Sequence, residues 1–117
     1  MTYALLIVED PQQRATRTED EGREVYGRMV EFGQQLQNKG LLLATQSLTS
    51  HNAATRVQVR GGKLHVLDGP FAEAKEMVGG FFLLDCKTQA EAIAIAADCP
   101  AAQWCTVEVR ELGPCFV

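Results

Sequence analysis

A helix-covered antiparallel sheet, an α+β fold, is predicted by three features of this chain of 117 residues. Strand-like runs and two helix-like stretches follow one another in the order β-α-β-hairpin-β-α-β. Thr18 with Glu21, and Thr88 with Glu91, have the spacing of a capping box, which opens a helix. Gly61-Gly62, flanked by residues that alternate apolar and polar, marks a two-residue hairpin turn.

Tyr3, Leu5 and Ile7 are apolar, and so are Ala4, Leu6 and Val8, so the first strand reads as buried on both faces. From Glu9 to Arg17 the chain turns polar and Pro11 breaks it, so the first helix is expected from Thr18. There Val25, Met29, Phe32 and Leu36 recur as one helical stripe, and Gly40 supplies the stop. Leu41 to Ala44 is a second strand apolar on both faces, followed by a polar loop from Thr45 to Thr55. Then the period becomes two. Val57, Val59, Leu64 and Val66 line one face of the hairpin, and Arg56, Gln58, Arg60, Lys63 and His65 form its wet face. Phe81 to Leu84 is a third doubly apolar strand, and Gly79-Gly80 before it predict a bulge or a close backbone approach. The second helix is expected to bury Ala90, Ile93, Ala94 and Ala97 and to end before Pro100. The last strand, Thr106 to Leu112, turns Val107 and Val109 inward, with Trp104 packing nearby, and Gly113-Pro114 releases the tail.

This succession is the pattern of a ferredoxin-like split βαβ unit carrying an added hairpin, in one domain over residues 1–117. Two helices cover only one face of such a sheet, yet three strands are apolar on both. About six outward side chains at roughly 100 Å² each would leave a bare patch of about 600 Å², at the top of what monomers expose. Burying it would contribute on the order of 15 kcal/mol before association costs. The sequence therefore predicts a homodimer formed sheet against sheet, with a cleft between the copies.

Composition narrows the function. A net charge of -4 without a stripe of Lys and Arg argues against a nucleic-acid binder. No run approaches the roughly 20 apolar residues that span a bilayer, and the N-terminal apolar run is too short for an export signal. A soluble, cytoplasmic protein without membrane contact is expected. Cys86, Cys99, Cys105 and Cys115 have irregular spacings with no C-x-x-C pair, so no metal site and no cofactor fingerprint is read, and the thiols are expected reduced. Cys86, just before the second helix, is the one thiol placed to gain from a helix dipole.

The densest stretch of the chain is Asp68-Gly69-Pro70-Phe71-Ala72-Glu73-Ala74-Lys75-Glu76, between two strands. Asp68 and Gly69 form turns, Pro70 suits the first position of a short helical turn, and Phe71 anchors the loop. Glu73 and Glu76 would share one face of that turn, with Lys75 beside them as a counter-charge. In a cleft this set supplies a carboxylate base and a cation for an oxyanion. Asp68, His65 and Glu73 are the candidate catalytic residues, His65 for its useful pKa range. Lys75, Glu76, Arg56, Gly69, Pro70 and Phe71 are the candidate ligand-binding residues.

From Val66 to Glu76, and again over Gly79-Gly80-Phe81-Phe82-Leu83, the chain resembles the YCII-related superfamily, and within it the subgroup named for its DGPF motif. Ala74 stands where threonine is commoner, and Val107-Glu108-Val109-Arg110 is similar to the family's last strand. The resemblance runs from Tyr3 to Leu112 and implies a dimeric α/β barrel. For some relatives it also implies a histidine on the first helix and an aspartate just before the proline that closes the second, one branch removing chloride from a chlorinated hydroxyquinol. Here the stretch from Glu19 to Lys39 contains no histidine and Cys99 precedes Pro100, so that dyad is not assembled from these positions. The favoured reading is a module that binds or regulates through a small molecule at the DGPF loop, in a homodimer cleft. The alternatives are an enzyme acting on a small polar or aromatic substrate by carboxylate acid/base chemistry, and, as the resemblance implies, an accessory partner of an extracytoplasmic-function sigma factor.

Overall fold

The computed structural model describes residues 1–117. In chain order it contains β1 (Thr2–Glu9), α1 (Pro11–Thr16), α2 (Glu19–Asn38), β2 (Leu42–Ser47), a 3-10 turn (His51–Ala53), β3 (Thr55–Arg60), β4 (Lys63–Asp68), β5 (Met77–Asp85), α3 (Gln89–Asp98), a second 3-10 turn (Pro100–Gln103) and β6 (Thr106–Glu111). β2, β5, β1 and β6 form a four-stranded antiparallel sheet in that order, and β3 pairs only with β4. The α+β class stands, in an arrangement compatible with a ferredoxin-like fold. No helix is long and apolar enough to cross a membrane.

Helix boundaries follow their caps. The Thr18 hydroxyl accepts the Glu21 N–H at 3.1 Å and the Glu21 carboxylate accepts the Thr18 N–H at 3.0 Å, the reciprocal box read from the sequence. The second box is half realised. Thr88 accepts the Glu91 N–H, but the Glu91 carboxylate reaches past it to the Lys87 N–H, at 3.0 Å. α2 ends where Gly40 takes a φ of 72° and the Leu41 N–H closes on the Leu36 carbonyl.

The stretch expected as a broken polar turn is instead helix α1. Asp10 caps it by accepting the Gln12 N–H at 2.9 Å, and Pro11 occupies its first turn, where no N–H is needed. β2 also runs longer than expected, taking in Thr45, Gln46 and Ser47, and it lies at a sheet edge rather than buried on two faces.

The core lies between one sheet face and the helices. Paired residues share a face, so Tyr3 with Leu84, and Leu5 with Phe82, turn toward Phe32, Leu36, Ala92 and Ala96. The Phe32 and Phe82 rings meet edge-on, with centroids 5.2 Å apart. Val107 and Val109 pack partly against this core, as their alternation required. On α3 the expected face is wrong: Ala92 and Ala96 are buried, whereas Ala90, Ile93, Ala94 and Ala97 are exposed. Alanine is apolar on every side of the helix, so the stripe could not be phased by hydropathy.

The opposite sheet face carries Leu6 and Val8 of β1 with Phe81, Leu83 and Val78 of β5, and the Glu108–Arg110 ion pair of β6 at one edge. Most of these apolar side chains are half-buried by their neighbours and Ala4 is buried, so less is bare here than the sequence estimate assumed. The larger apolar exposure is on the hairpin. Val57, Val59, Leu64 and Val66 are 62%, 60%, 65% and 56% exposed, so the apolar face of the hairpin is not covered by the chain's own core.

Candidate functional site

Two residues of the DGPF stretch are fixed by hydrogen bonds to their surroundings. Asp68 ends β4, and its carboxylate accepts the Thr55 hydroxyl across the hairpin at 2.9 Å. The Gly69 N–H donates to the Ala54 carbonyl at 2.8 Å, and Gly69 lies so close to the 3-10 turn that a Cβ there would run into the His51 carbonyl. Gly69-Pro70 is a cis peptide and no helical turn follows, contrary to the expectation for Pro70. The Ala74 N–H closes an ordinary turn on the Phe71 carbonyl, at 3.0 Å.

Phe71 is buried, as an anchor should be. The Arg56 guanidinium lies 3.8 Å from its ring centroid and donates to Glu73 at 3.0 Å. His51 meets the same ring edge-on, at 5.8 Å between centroids. The loop thus brings Arg56, Gly69, Phe71 and Glu73 together at the root of the hairpin. His65 of β4 pairs with Gln58 of β3, on the hairpin face that Arg56 shares and opposite to that of Asp68. The histidine that the loop engages is His51.

Lys75 and Glu76 face elsewhere, into a cleft of about 640 Å³ whose other walls include Glu9, Asp10, Gln13, Trp104 and Cys105. Glu9 and Trp104 also line a second cleft, of about 660 Å³, between α2 and the sheet. This cleft exists because α2 seats only its C-terminal half. Phe32 and Leu36 are buried and Met29 packs partly on the core, but Val25 is half-exposed and Tyr26 is exposed.

Glu9 is the group that organises both clefts. It is the last residue of β1 and only 8% exposed, a carboxylate that demands a counter-charge. Arg14 of α1 provides one, with Nε 2.6 Å from Glu9 Oε1. The guanidinium is otherwise occupied. Nη1 donates to the Leu48 carbonyl at 2.7 Å and Nη2 to the Gly79 carbonyl at 3.1 Å, so the guanidinium ties the Glu9 carboxylate to two backbone carbonyls. The strand register skips Gly79 where β1 meets β5, the bulge read from the paired glycines.

Trp104 is more than packing. Its carbonyl accepts the Gln13 side chain at 2.8 Å, and the guanidinium carbons of Arg28 and Arg17 lie 5.2 and 5.9 Å from its ring centroid. Arg17 also lines the second cleft, so its wall carries a cation as well as the Glu9 carboxylate. The sequence offered only weak signals for this constellation. Glu9, Arg14 and Trp104 are far apart in the chain, and the bulge at Gly79 was the one local hint of a crowded group nearby.

Cys86, Cys99 and Cys105 are not activated. Burial, then the Glu91 carboxylate, pushes the Cys86 thiol up, which overrides the helix-dipole expectation. Cys99 is raised by burial, and Cys105 is pushed up to about 11 by burial and then the Glu9 carboxylate.

A family model described as a YCII-related domain matches residues 1–115. The chain is also 32% identical, over 115 residues, to an uncharacterized protein of Rhizobium meliloti (strain 1021), the match covering 97% of this chain and 93% of that protein.

Proposed function

The chain belongs to the YCII-related family, and from that premise we propose that it is a small-molecule-binding module of the DGPF-motif subgroup, acting as a homodimer. The observation that carries the binding reading is Glu9, a carboxylate only 8% exposed that stands on the wall of both clefts, of about 640 and 660 Å³. Those volumes lie within the roughly 300–1,000 Å³ of ordinary ligand sites. The ligand donates a hydroxyl or N–H to Glu9, stacks its flat part beside Trp104 and Met29, and turns an anionic end toward Arg17. Lys75 and Glu76 carry the contribution of the DGPF loop to the adjoining cleft, while Arg56, Gly69, Pro70 and Phe71 hold that loop in place.

The dimer is a barrel closed sheet against sheet. Its support is the outer sheet face, where an apolar centre of Leu6, Phe81 and Leu83 is bordered by the Glu108–Arg110 pair, the layout of an interface core with a polar rim.

A second reading, an enzyme using carboxylate acid/base chemistry, is favoured by one arrangement: Glu9, Asp10 and Glu76 line the same cleft as Lys75. One experiment addresses both. Thermal shift against a panel of hydroxylated aromatic acids and small dicarboxylates, with each mixture then analysed by mass spectrometry, is expected to raise the midpoint for wild type and not for Glu9→Gln. A changed ligand selects the enzyme. No stabilisation by any member of the panel, or equal stabilisation of both proteins, removes the binding site at Glu9.

A further inference from the structure

The β3–β4 hairpin has both faces in solvent, although an isolated two-stranded ribbon is marginal in water. Its residues pair only with each other, Val57 opposite Val66 and Val59 opposite Leu64, so one face is an unbroken apolar tetrad. The radius of gyration is 16.0 Å, against about 13 Å for a compact chain of this length. At the same time its root is held firmly, by the Asp68–Thr55 bond, the Gly69 contact with the 3-10 turn, and Arg56 over Phe71. The hairpin is therefore an arm with a fixed direction and an uncovered greasy side.

We propose that this arm is a clasp that lies on a second copy of the chain, each copy embracing the other about a two-fold axis. Two observations identify the occupant. The first is charge. Residues 55–68 carry three of the eleven basic side chains and one of the fifteen acidic ones, leaving the remainder of the chain with eight basic and fourteen acidic. Arg56, Arg60 and Lys63 lie on the face of the arm opposite its apolar tetrad, so this charge acts at a distance, drawing the acidic body of a second copy toward the arm and repelling a second arm. The second is area. Four apolar side chains with roughly 90 Å² bare on each give about 350 Å² per arm. Two arms, with the like area they cover on the partner, hide on the order of 1,400 Å², the size of a standard stable interface. The clasp rests on the dimer proposed above, but makes a separate claim: the sheet faces alone do not hold it.

The test compares wild type, the arm variant Val59→Asp/Leu64→Asp and the sheet variant Leu83→Asp by size-exclusion light scattering over a dilution series. Circular dichroism checks that the body of each stays folded; both arm positions are exposed, so the substitutions leave the core intact. Hydrogen exchange on wild type provides a readout without any substitution. Wild type is expected to be a dimer whose arm amides, residues 56–67, are protected and lose protection on dilution to monomer. The arm variant is expected to raise the dimer dissociation constant by at least about 100-fold, a cost of two desolvated carboxylates. A wild-type dimer whose arm amides exchange freely, or an arm variant that dimerises as tightly as wild type, overturns the clasp and leaves the dimer standing. A wild-type monomer overturns both, including the case in which the arm is covered by some other partner.

Discussion

Gly79 and Glu9 occupy space that a single added methyl group would contest. A Cβ on Gly79 would meet the Glu9 carboxylate, with its carboxyl carbon at 2.7 Å and Arg14 Nη2 at 2.8 Å. A long side chain usually swings away from such a clash, but Glu9 is buried and held by Arg14, and Arg14 is tied to two carbonyls. Gly79→Ala is therefore expected to destabilise by about 1–3 kcal/mol, the range of an overpacked core. Gly27→Ala is the control: nothing lies within 4 Å of its Cβ, and it is expected to stabilise α2 by roughly 0.5–1 kcal/mol. Urea unfolding of the two variants measures both; equal midpoints would show that the Glu9–Arg14 pair is not rigid.

Gly69 is confined by backbone rather than by side chains. Its added Cβ would strike the His51 carbonyl and lie 3.3 Å from the Ala54 carbonyl oxygen, and neither can rotate aside without moving the 3-10 turn. Gly69→Ala is expected to loosen the DGPF loop from residues 51–54. Hydrogen exchange at the Gly69 and Ala54 amides, both now bonded to carbonyls, should accelerate at least about 10-fold, equivalent to about 1.4 kcal/mol. Unchanged exchange at both would place the root of the hairpin under some other control.

What the chain disclosed in advance was whatever is decided locally. The capping box at Thr18, the stop at Gly40, the Gly61-Gly62 turn with φ values of 58° and 76°, and the bulge at Gly79 are all set within a few residues. The misreadings came where a residue's role depends on distant partners. Pro11 looked like a breaker because its cap, Asp10, was not recognised as one. The face of α3 was mis-phased because alanine gives hydropathy no direction. The hairpin alternation was read correctly, but alternation says only that one face is apolar, and nothing about what covers it. The site shows the same division. Arg56, Gly69, Phe71 and Glu73 do meet, being close in the hairpin, whereas the approach of Arg14 to Glu9 and of Arg28 to Trp104 requires the sheet to be assembled first.

The four thiols should separate by reactivity. Cys115 is exposed and should be alkylated first at pH 8, before buried Cys86 and Cys99. Cys105 is the one with a defined pH signature. Its pKa is about 11 in the fold against 9.0 unperturbed, burial being the main cause and the Glu9 carboxylate the next. A raised thiol pKa means that the unfolded chain gives up its proton first. The contribution to stability is thus whole below pH 9 and lost as the pH rises through 11. Labelling with iodoacetamide, read by mass spectrometry, is expected to reach Cys105 only toward the top of that window, and Cys105→Ala should flatten the alkaline fall in stability. Labelling of Cys105 at pH 8 as fast as Cys115 would contradict the burial argument.

Arg56 reaches Phe71 and Glu73 at once, and the two contacts should differ in weight. The ion pair with Glu73 has side chains 49% and 70% exposed, and such pairs contribute less than about 1 kcal/mol, weakened further by salt. The planar guanidinium 3.8 Å from the Phe71 centroid lies over a buried ring, where cation–π attraction of about 0.5–1 kcal/mol adds to the apolar area that the arginine stem covers. Glu73→Gln should therefore change stability by less than about 0.5 kcal/mol. Arg56→Lys should cost more although it keeps the charge, because an ammonium has no flat face to lay on the ring. Phe71→Leu, which keeps the anchor apolar but removes the ring face, should bring the two Arg56 proteins to nearly the same stability. A double-mutant cycle in urea tests this, and a coupling energy between positions 56 and 71 no larger than that between 56 and 73 would reverse the ranking.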